Sequence, residues 1–158
     1  MVARESPRES GGVTTMKLGR KQRRITRVLV VEDEPLVAFD TEYFLVSEGF
    51  EVVATVDSVA DALAWLDSAS APHLVLADVN LADGSGIEVA RAAHARDIHV
   101  LFVTASCPGD ARALAAGCLS KPYPQRDLVM AIDAVEAVLA GKMPRKLPGS
   151  FSLFRQPA

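Results

Sequence analysis

Between Arg27 and Leu139 the chain alternates short, continuous apolar runs with stretches of helical period, and this alternation limits the fold more than any other feature. Val28-Leu29-Val30-Val31 is largely β-branched and uninterrupted, as expected of a strand covered on both faces. Pro35 follows, suited to the first turn of a helix, and Leu36, Phe39, Tyr43 and Val46 then recur at three and four residues until Gly49. The cycle repeats. Glu51 to Thr55 reads as a strand and Ser58 through Val59, Leu63 and Leu66 as a helix. His73 to Ala77 is a third strand, followed by a glycine-containing loop and a helix from about Ile87 to Ala95. His99 to Val103, a short helical piece over about 109–116, and Cys118 to Ser120 supply the next two strands and their connector. The last helix carries Leu128, Ile132, Val135 and Leu139 on one stripe and ends before Gly141. The predicted fold is α/β, a five-stranded parallel sheet flanked by helices; barrel closure would need eight such units.

A chain of 158 residues suits one core of ordinary size. The net charge of -3 conceals a division along the chain. Residues 1–27 carry +6 and residues 141–158 carry +4, whereas residues 28–140 carry -13. We therefore expect a disordered basic N-terminal tail over 1–26, one domain over 27–140 and a basic C-terminal tail over 141–158. Phe151 and Phe154, close to Lys146 and Arg155, could dock the C-terminal tail on its own domain or on another protomer. No apolar stretch is long enough to span a bilayer, so the expectation is a cytoplasmic protein without a membrane partner. The acidic middle and the scarcity of aromatics in the N-terminal tail argue against nucleic acid as a partner. Cys107 and Cys118 lack C-x-x-C spacing and are expected as reduced thiols.

Ligands of open α/β sheets bind beyond the carboxyl ends of the strands, so the residues after each apolar run carry the functional information. The first run ends at Glu32-Asp33-Glu34, the third at Asp78, the fourth at Thr104 and the fifth at Lys121-Pro122. Carboxylates gathered on one rim repel; two unit charges about 4 Å apart interact by roughly 4 kcal/mol at an effective dielectric near 20. A divalent cation would relieve this, and oxygen donors without histidine or thiolate favour Mg²⁺ over zinc. A lysine and a hydroxyl on the same rim would serve an anion, which together with the cation suggests a phosphoryl site. Taken singly, these residues have plain readings: Asp33 and Glu34 as a turn or helix cap, Thr104 as a turn residue, Lys121 as a surface lysine.

The ordered set Val28-Leu29-Val30-Val31-Glu32-Asp33-Glu34-Pro35, Leu76-Ala77-Asp78-Val79-Asn80-Leu81, Asp83-Gly84-Ser85-Gly86, Thr104-Ala105 and Lys121-Pro122 resembles the receiver domain of bacterial two-component response regulators. The resemblance covers about residues 27–140. It implies a flavodoxin-like (βα)5 fold with strand order 2-1-3-4-5, and Asp78 as acceptor of a phosphoryl group from a sensor histidine kinase or histidine phosphotransfer protein. It further implies that Glu32, Asp33, Asp78 and the backbone carbonyl of Asn80 hold Mg²⁺, that Thr104 and Lys121 contact the phosphoryl oxygens, and that Lys121-Pro122 is cis.

Two departures stand out. The aromatic usual three residues before the lysine is replaced by Cys118, and Tyr123 is a weak substitute because it follows Pro122. The interval from Thr104 to Lys121 is short for a receiver, and with Phe102-Val103-Thr104-Ala105 it is similar to the FATGUY subgroup of single-domain receivers. The segment after Gly141 is too short for an output domain, so the expected protein is a stand-alone, phosphoaccepting signalling protein rather than an enzyme. It would act as a phosphate sink or bind a downstream protein target through a face formed by the fourth helix, fifth strand and fifth helix. A homodimer through that face remains open. The alternative is a small Mg²⁺-dependent aspartyl phosphatase, disfavoured because Asn80 occupies the place where such enzymes carry a second, general-acid aspartate.

Overall fold

The computed structural model describes residues 23–154. The parallel strands form where the sequence places its apolar runs: β1 (Arg27–Val31), β2 (Glu51–Val56), β3 (Leu74–Ala77), β6 (His99–Thr104) and β7 (Gly117–Ser120). A two-residue pair, β4 (Asn80–Leu81) and β5 (Gly84–Ser85), forms a small antiparallel hairpin after β3. The helices are α1 (Pro35–Ser47), α2 (Val59–Leu66), α3 (Gly86–Ala95) and α4 (Gln125–Leu139), with a 3-10 segment over Gly109–Leu114. With β8 (Phe151–Leu153) included, the sheet order is β2-β1-β3-β6-β7-β8, so the five parallel strands follow the expected 2-1-3-4-5 pattern. The sixth strand, β8, runs antiparallel to β7, pairing Gly117 with Leu153, Cys118 with Ser152 and Leu119 with Phe151.

Strand alternation sends side chains to the two faces of the sheet, each covered by helices. Val28, Val30, Leu74, Leu76, Leu101 and Leu119 pack with Leu45 and with Leu128, Ile132 and Val135 of α4. Leu29, Val31, Val75, Val100, Phe102 and Cys118 face α2 and α3. The stripe read from α4 is therefore a core stripe.

On α1 the same spacing misleads. Leu36, Phe39, Tyr43 and Val46 all point outward, with exposures of 80%, 66%, 71% and 55%. Ala38 and Leu45 are buried instead, and Phe44 packs partly against the core. The helix is apolar around much of its circumference, so two stripes of helical period coexist and periodicity alone cannot choose between them.

The chain is also ordered beyond both expected boundaries. Ile25 is buried, the amides of Arg24 and Ile25 donate to the Glu136 carboxylate at 3.0 and 2.8 Å, and Arg23 lies over the Phe50 ring. Residues 23–26, assigned to a disordered tail from sequence, are thus packed against the domain because an apolar side chain and an acceptor await them. The remainder of that tail, residues 1–22, lies outside the described residues. At the other end Phe151 is buried in the core, and Arg112 lies 4.5 Å from the Phe154 ring centroid, so this segment docks on its own domain.

The cysteines correct a further expectation. Cys107 and Cys118 form a disulfide rather than remaining reduced thiols. The fold brings the loop after β6 over β7, a proximity that an eleven-residue separation does not reveal.

Candidate functional site

Glu32, Asp78, Thr104 and Lys121 stand where β1, β3, β6 and β7 end or just beyond, so adjacent parallel strands deliver them to one rim. Glu32 and Asp78 are largely buried, and Thr104 is fully so. Lys121 joins the two carboxylates: its Nζ donates to Glu32 Oε1 at 2.7 Å and to Asp78 Oδ2 at 3.0 Å. The other oxygen of Asp78, Oδ1, accepts from the backbone N–H of Asn80 at 3.1 Å, while the Glu34 amide donates to Glu32 Oε2 at 3.2 Å. Each carboxylate is thereby oriented through both of its oxygens.

Asp33 completes an acidic group with Glu32 and Asp78, one oxygen from each lying within 4.8 Å of the others. These donors are hard oxygens on a half-open rim, a set that fits a cation of the Mg²⁺ type. The Asn80 side chain is exposed on β4, and its contact with Asp78 is through the backbone. Thr104 is tied to Lys121 through the Lys121 N–H, which donates to the Thr104 carbonyl at 2.9 Å. The Thr104 hydroxyl is buried without a hydrogen-bond partner among the described residues. Such a group is costly unless something else satisfies it. The Lys121–Pro122 bond is cis, as the resemblance implied.

The charges respond to this packing. Burial pushes the Glu32 carboxyl above its ordinary pKa, although the Lys121 ammonium offsets part of that rise. Burial acts on Lys121 in the opposite sense, but the hydrogen bonds it donates to Glu32 and Asp78 prevail and hold its pKa up. The ammonium therefore stays protonated between the carboxylates. Tyr123, partly buried against the core, has its hydroxyl pushed up by burial and lines a groove between α1 and α4 with Thr41, Phe44 and Lys121.

Other residues support the rim. Asp83 accepts from the amides of Val59 and Ala60 at 2.8 and 3.3 Å, which caps α2 and fixes the loop after β3. Gly86 lies against the backbone of Asp78, where an added Cβ would come 2.0 Å from the Asp78 carbonyl oxygen. The Asp83-Gly84-Ser85-Gly86 motif carries both signals, but their physical roles emerge only when the loop is seen against α2 and β3.

An open, mainly parallel sheet with paired acids, a buried hydroxyl and a bridging lysine at its carboxyl-end rim defines a receiver-type α/β domain. The family model for the response regulator receiver domain matches residues 28–133, and the chain belongs to that family. Among curated proteins it is similar to the sensory transduction protein RegX3 of Mycobacterium bovis, 37% identical over 117 residues, covering 70% of this chain and 51% of that protein. It is also similar to the phyllosphere-induced regulator PhyR of Methylorubrum extorquens, 34% identical over 82 residues, covering 51% of this chain and 31% of that protein. The chain thus spans about half, or less, of these relatives. Among solved structures, the response regulator PhyR from Brucella abortus matches with a TM-score of 0.61 and 33% identity, covering 84% of this chain and 56% of that one. A CheY-like receiver domain protein from Methanospirillum hungatei JF-1 matches with a TM-score of 0.61 and 26% identity, covering 69% and 91% of the two chains.

Proposed function

We propose that this protein accepts a phosphoryl group on Asp78 from the phosphohistidine of a sensor histidine kinase or a histidine phosphotransfer protein. The observation that carries this reading is the placement of the Asp78 carboxylate, with Oδ2 on Lys121 Nζ and Oδ1 on the Asn80 amide, in an acidic cluster at the end of β3. A carboxylate oxygen of Asp78 attacks phosphorus, the P–N bond breaks and the imidazole leaves. Lys121 then exchanges a carboxylate partner for phosphoryl oxygens, and the unsatisfied Thr104 hydroxyl has a donor to offer the same group. Mg²⁺ held by Glu32, Asp33, Asp78 and the backbone carbonyl of Asn80 would supply further charge neutralisation. The protein's contribution is alignment and preorganised charge, which a loose phosphoryl-transfer transition state chiefly needs.

The outward stripe Leu36, Phe39, Tyr43 and Val46 begins beside Asp33 and offers an apolar surface next to the rim. It gives a phosphodonor protein a place to pack while its histidine reaches Asp78. The signal leaves either by phosphorylation-dependent contact with a downstream protein target or by draining phosphate from the donor, in the cytoplasm.

The test is incubation with a labelled, phosphorylated histidine kinase. Label is expected to move to the wild-type chain and not to Asp78→Asn; equal labelling of the variant refutes the assignment. Multiple turnover of a chromogenic phosphate ester would instead establish the aspartyl-phosphatase alternative.

A further inference from the structure

We propose that the Cys107–Cys118 bond is a thiol–disulfide modification site that controls the connector between β6 and β7 and, through it, the phosphoryl chemistry at Asp78. The coupling rests on the phosphoacceptor reading above; the redox site itself does not.

The bond lies between two residues of the rim. Cys107 follows Thr104 by three positions, and Cys118 precedes Lys121 by three. Thr104 and Lys121 are joined by a backbone hydrogen bond, Thr104 is in register with Ser120, and the Cys107 sulfur lies 3.5 Å from the Ser120 hydroxyl. The disulfide therefore ties the loop leaving Thr104 to the strand that arrives at Lys121.

Apart from the disulfide, that connector is held by modest contacts: Leu114 packs partly against the core and Arg112 lies over the Phe154 ring. Between Ala105 and Ala116 the buried side chains are Ala111, Ala115 and Ala116, each too small to bury much apolar area. Its 3-10 segment is interrupted by non-helical backbone at Ala111. A segment with few buried apolar contacts opens at low cost once a covalent tie is removed.

The two sulfurs differ in access. Cys107 is half-buried, whereas Cys118 is fully enclosed in β7 among Phe102, Ala111 and Ala115. A thiolate from a small thiol or dithiol reductant attacks the Cys107 sulfur; the S–S bond breaks and its electron pair goes to Cys118, which takes up a proton. A second thiol equivalent then resolves the mixed disulfide, leaving two protein thiols and one oxidised disulfide of the reductant. A disulfide oxidant reverses the exchange. Reduced Cys118 fits its site as a small apolar side chain, so the core survives reduction. In the cytoplasmic setting proposed above, disulfides that form are commonly transient and redox-sensing.

The experiment uses the full chain in oxidised form, after treatment with dithiothreitol, and as Cys107→Ser, which leaves the buried Cys118 in place. Thiol alkylation with mass measurement reports the bond. Hydrogen exchange reports the connector, and label uptake from a labelled, phosphorylated histidine kinase with Mg²⁺, followed by its decay once the kinase is removed, reports the site. Reduction and Cys107→Ser are each expected to speed amide exchange over 105–116 at least tenfold and to change the phosphoryl half-life at least threefold. Two free thiols after exposure to oxidised glutathione, or unchanged exchange on reduction, would overturn the redox site. Faster exchange with an unchanged half-life would overturn the coupling. Absence of label in all three forms would refute the phosphoacceptor reading and the coupling with it, while exchange would still decide the redox site.

Discussion

Lys121 stands between Glu32 and Asp78, with its ammonium 2.7 Å from one carboxylate and 3.0 Å from the other. Without it, buried acids would face each other and Asp33 with no counter-charge. Breaking a buried charge pair by removing one partner costs about 3 kcal/mol or more. Lys121→Met is accordingly expected to lower unfolding free energy by about 3 kcal/mol in urea titrations at neutral pH and low Mg²⁺. Added Mg²⁺ should restore more stability to this variant than it adds to the wild type. A second expectation concerns the cation alone. Ligand at a hundred times its dissociation constant adds about 2.7 kcal/mol to the wild type. Asp33→Asn should shrink the rise in thermal midpoint on adding Mg²⁺, and an unchanged rise would remove Asp33 from the ligand set. These residues were legible in sequence because parallel strands bring their carboxyl ends to one edge, so neighbours in space can be named from strand ends alone. The orphaned Thr104 hydroxyl was not legible, since its lack of a partner depends on every surrounding side chain.

Elements differ in how far local pattern decides them. The strands and α4 were readable because each is apolar on the faces that must be buried. On α1 the pattern gave the element but not its orientation, since Leu36, Phe39, Tyr43 and Val46 compete with Ala38, Phe44 and Leu45 for the sheet. The α2 start depends on a residue far along the chain: Asp83 receives two amides from its first turn. The Val59 amide is the main reason the Asp83 carboxyl titrates below the ordinary aspartate value of 3.8. A folded-state pKa below the unfolded one gives stability that is present above about pH 3.8 and is lost as pH falls through the folded value. Asp83→Ala is therefore expected to be less stable than wild type at pH 6, with the gap narrowing below pH 3.8. Urea midpoints across that range provide the check, and a gap independent of pH would exclude the charged cap. The disulfide was missed for a related reason: spacing carries no information about two positions joined only by the turn of an intervening loop.

At the scale of the molecule, the charge division along the sequence does not mark the limits of packed structure. Chain on both sides of the expected domain contributes to the core, through Ile25 and Phe151. Short β8 had no signature of its own because three residues suffice when β7 already offers a ladder. Fully burying a side chain such as Phe151 contributes about 1.5 to 3 kcal/mol. Truncation after Gly141 should thus lower stability by about 2 kcal/mol or more, read from the urea midpoint. Gly117→Val should act in the same direction in the intact chain, because its Cβ would meet the Phe151 ring and the Ser152 carbonyl at 2.6 Å. Equal midpoints for all three proteins would mean that β8 contributes nothing.

Because β8 lies along β7, the backbone groups that β7 would offer to another molecule are already engaged, and β2 forms the opposite margin of the sheet. Growth of the sheet from one copy into the next by strand addition at β7 would first require β8 to peel away. Any assembly formed on that side of the molecule must consequently meet the chain's own C-terminal segment, and a partner recognising it would read Ser152 and its neighbours together with the surface of the domain.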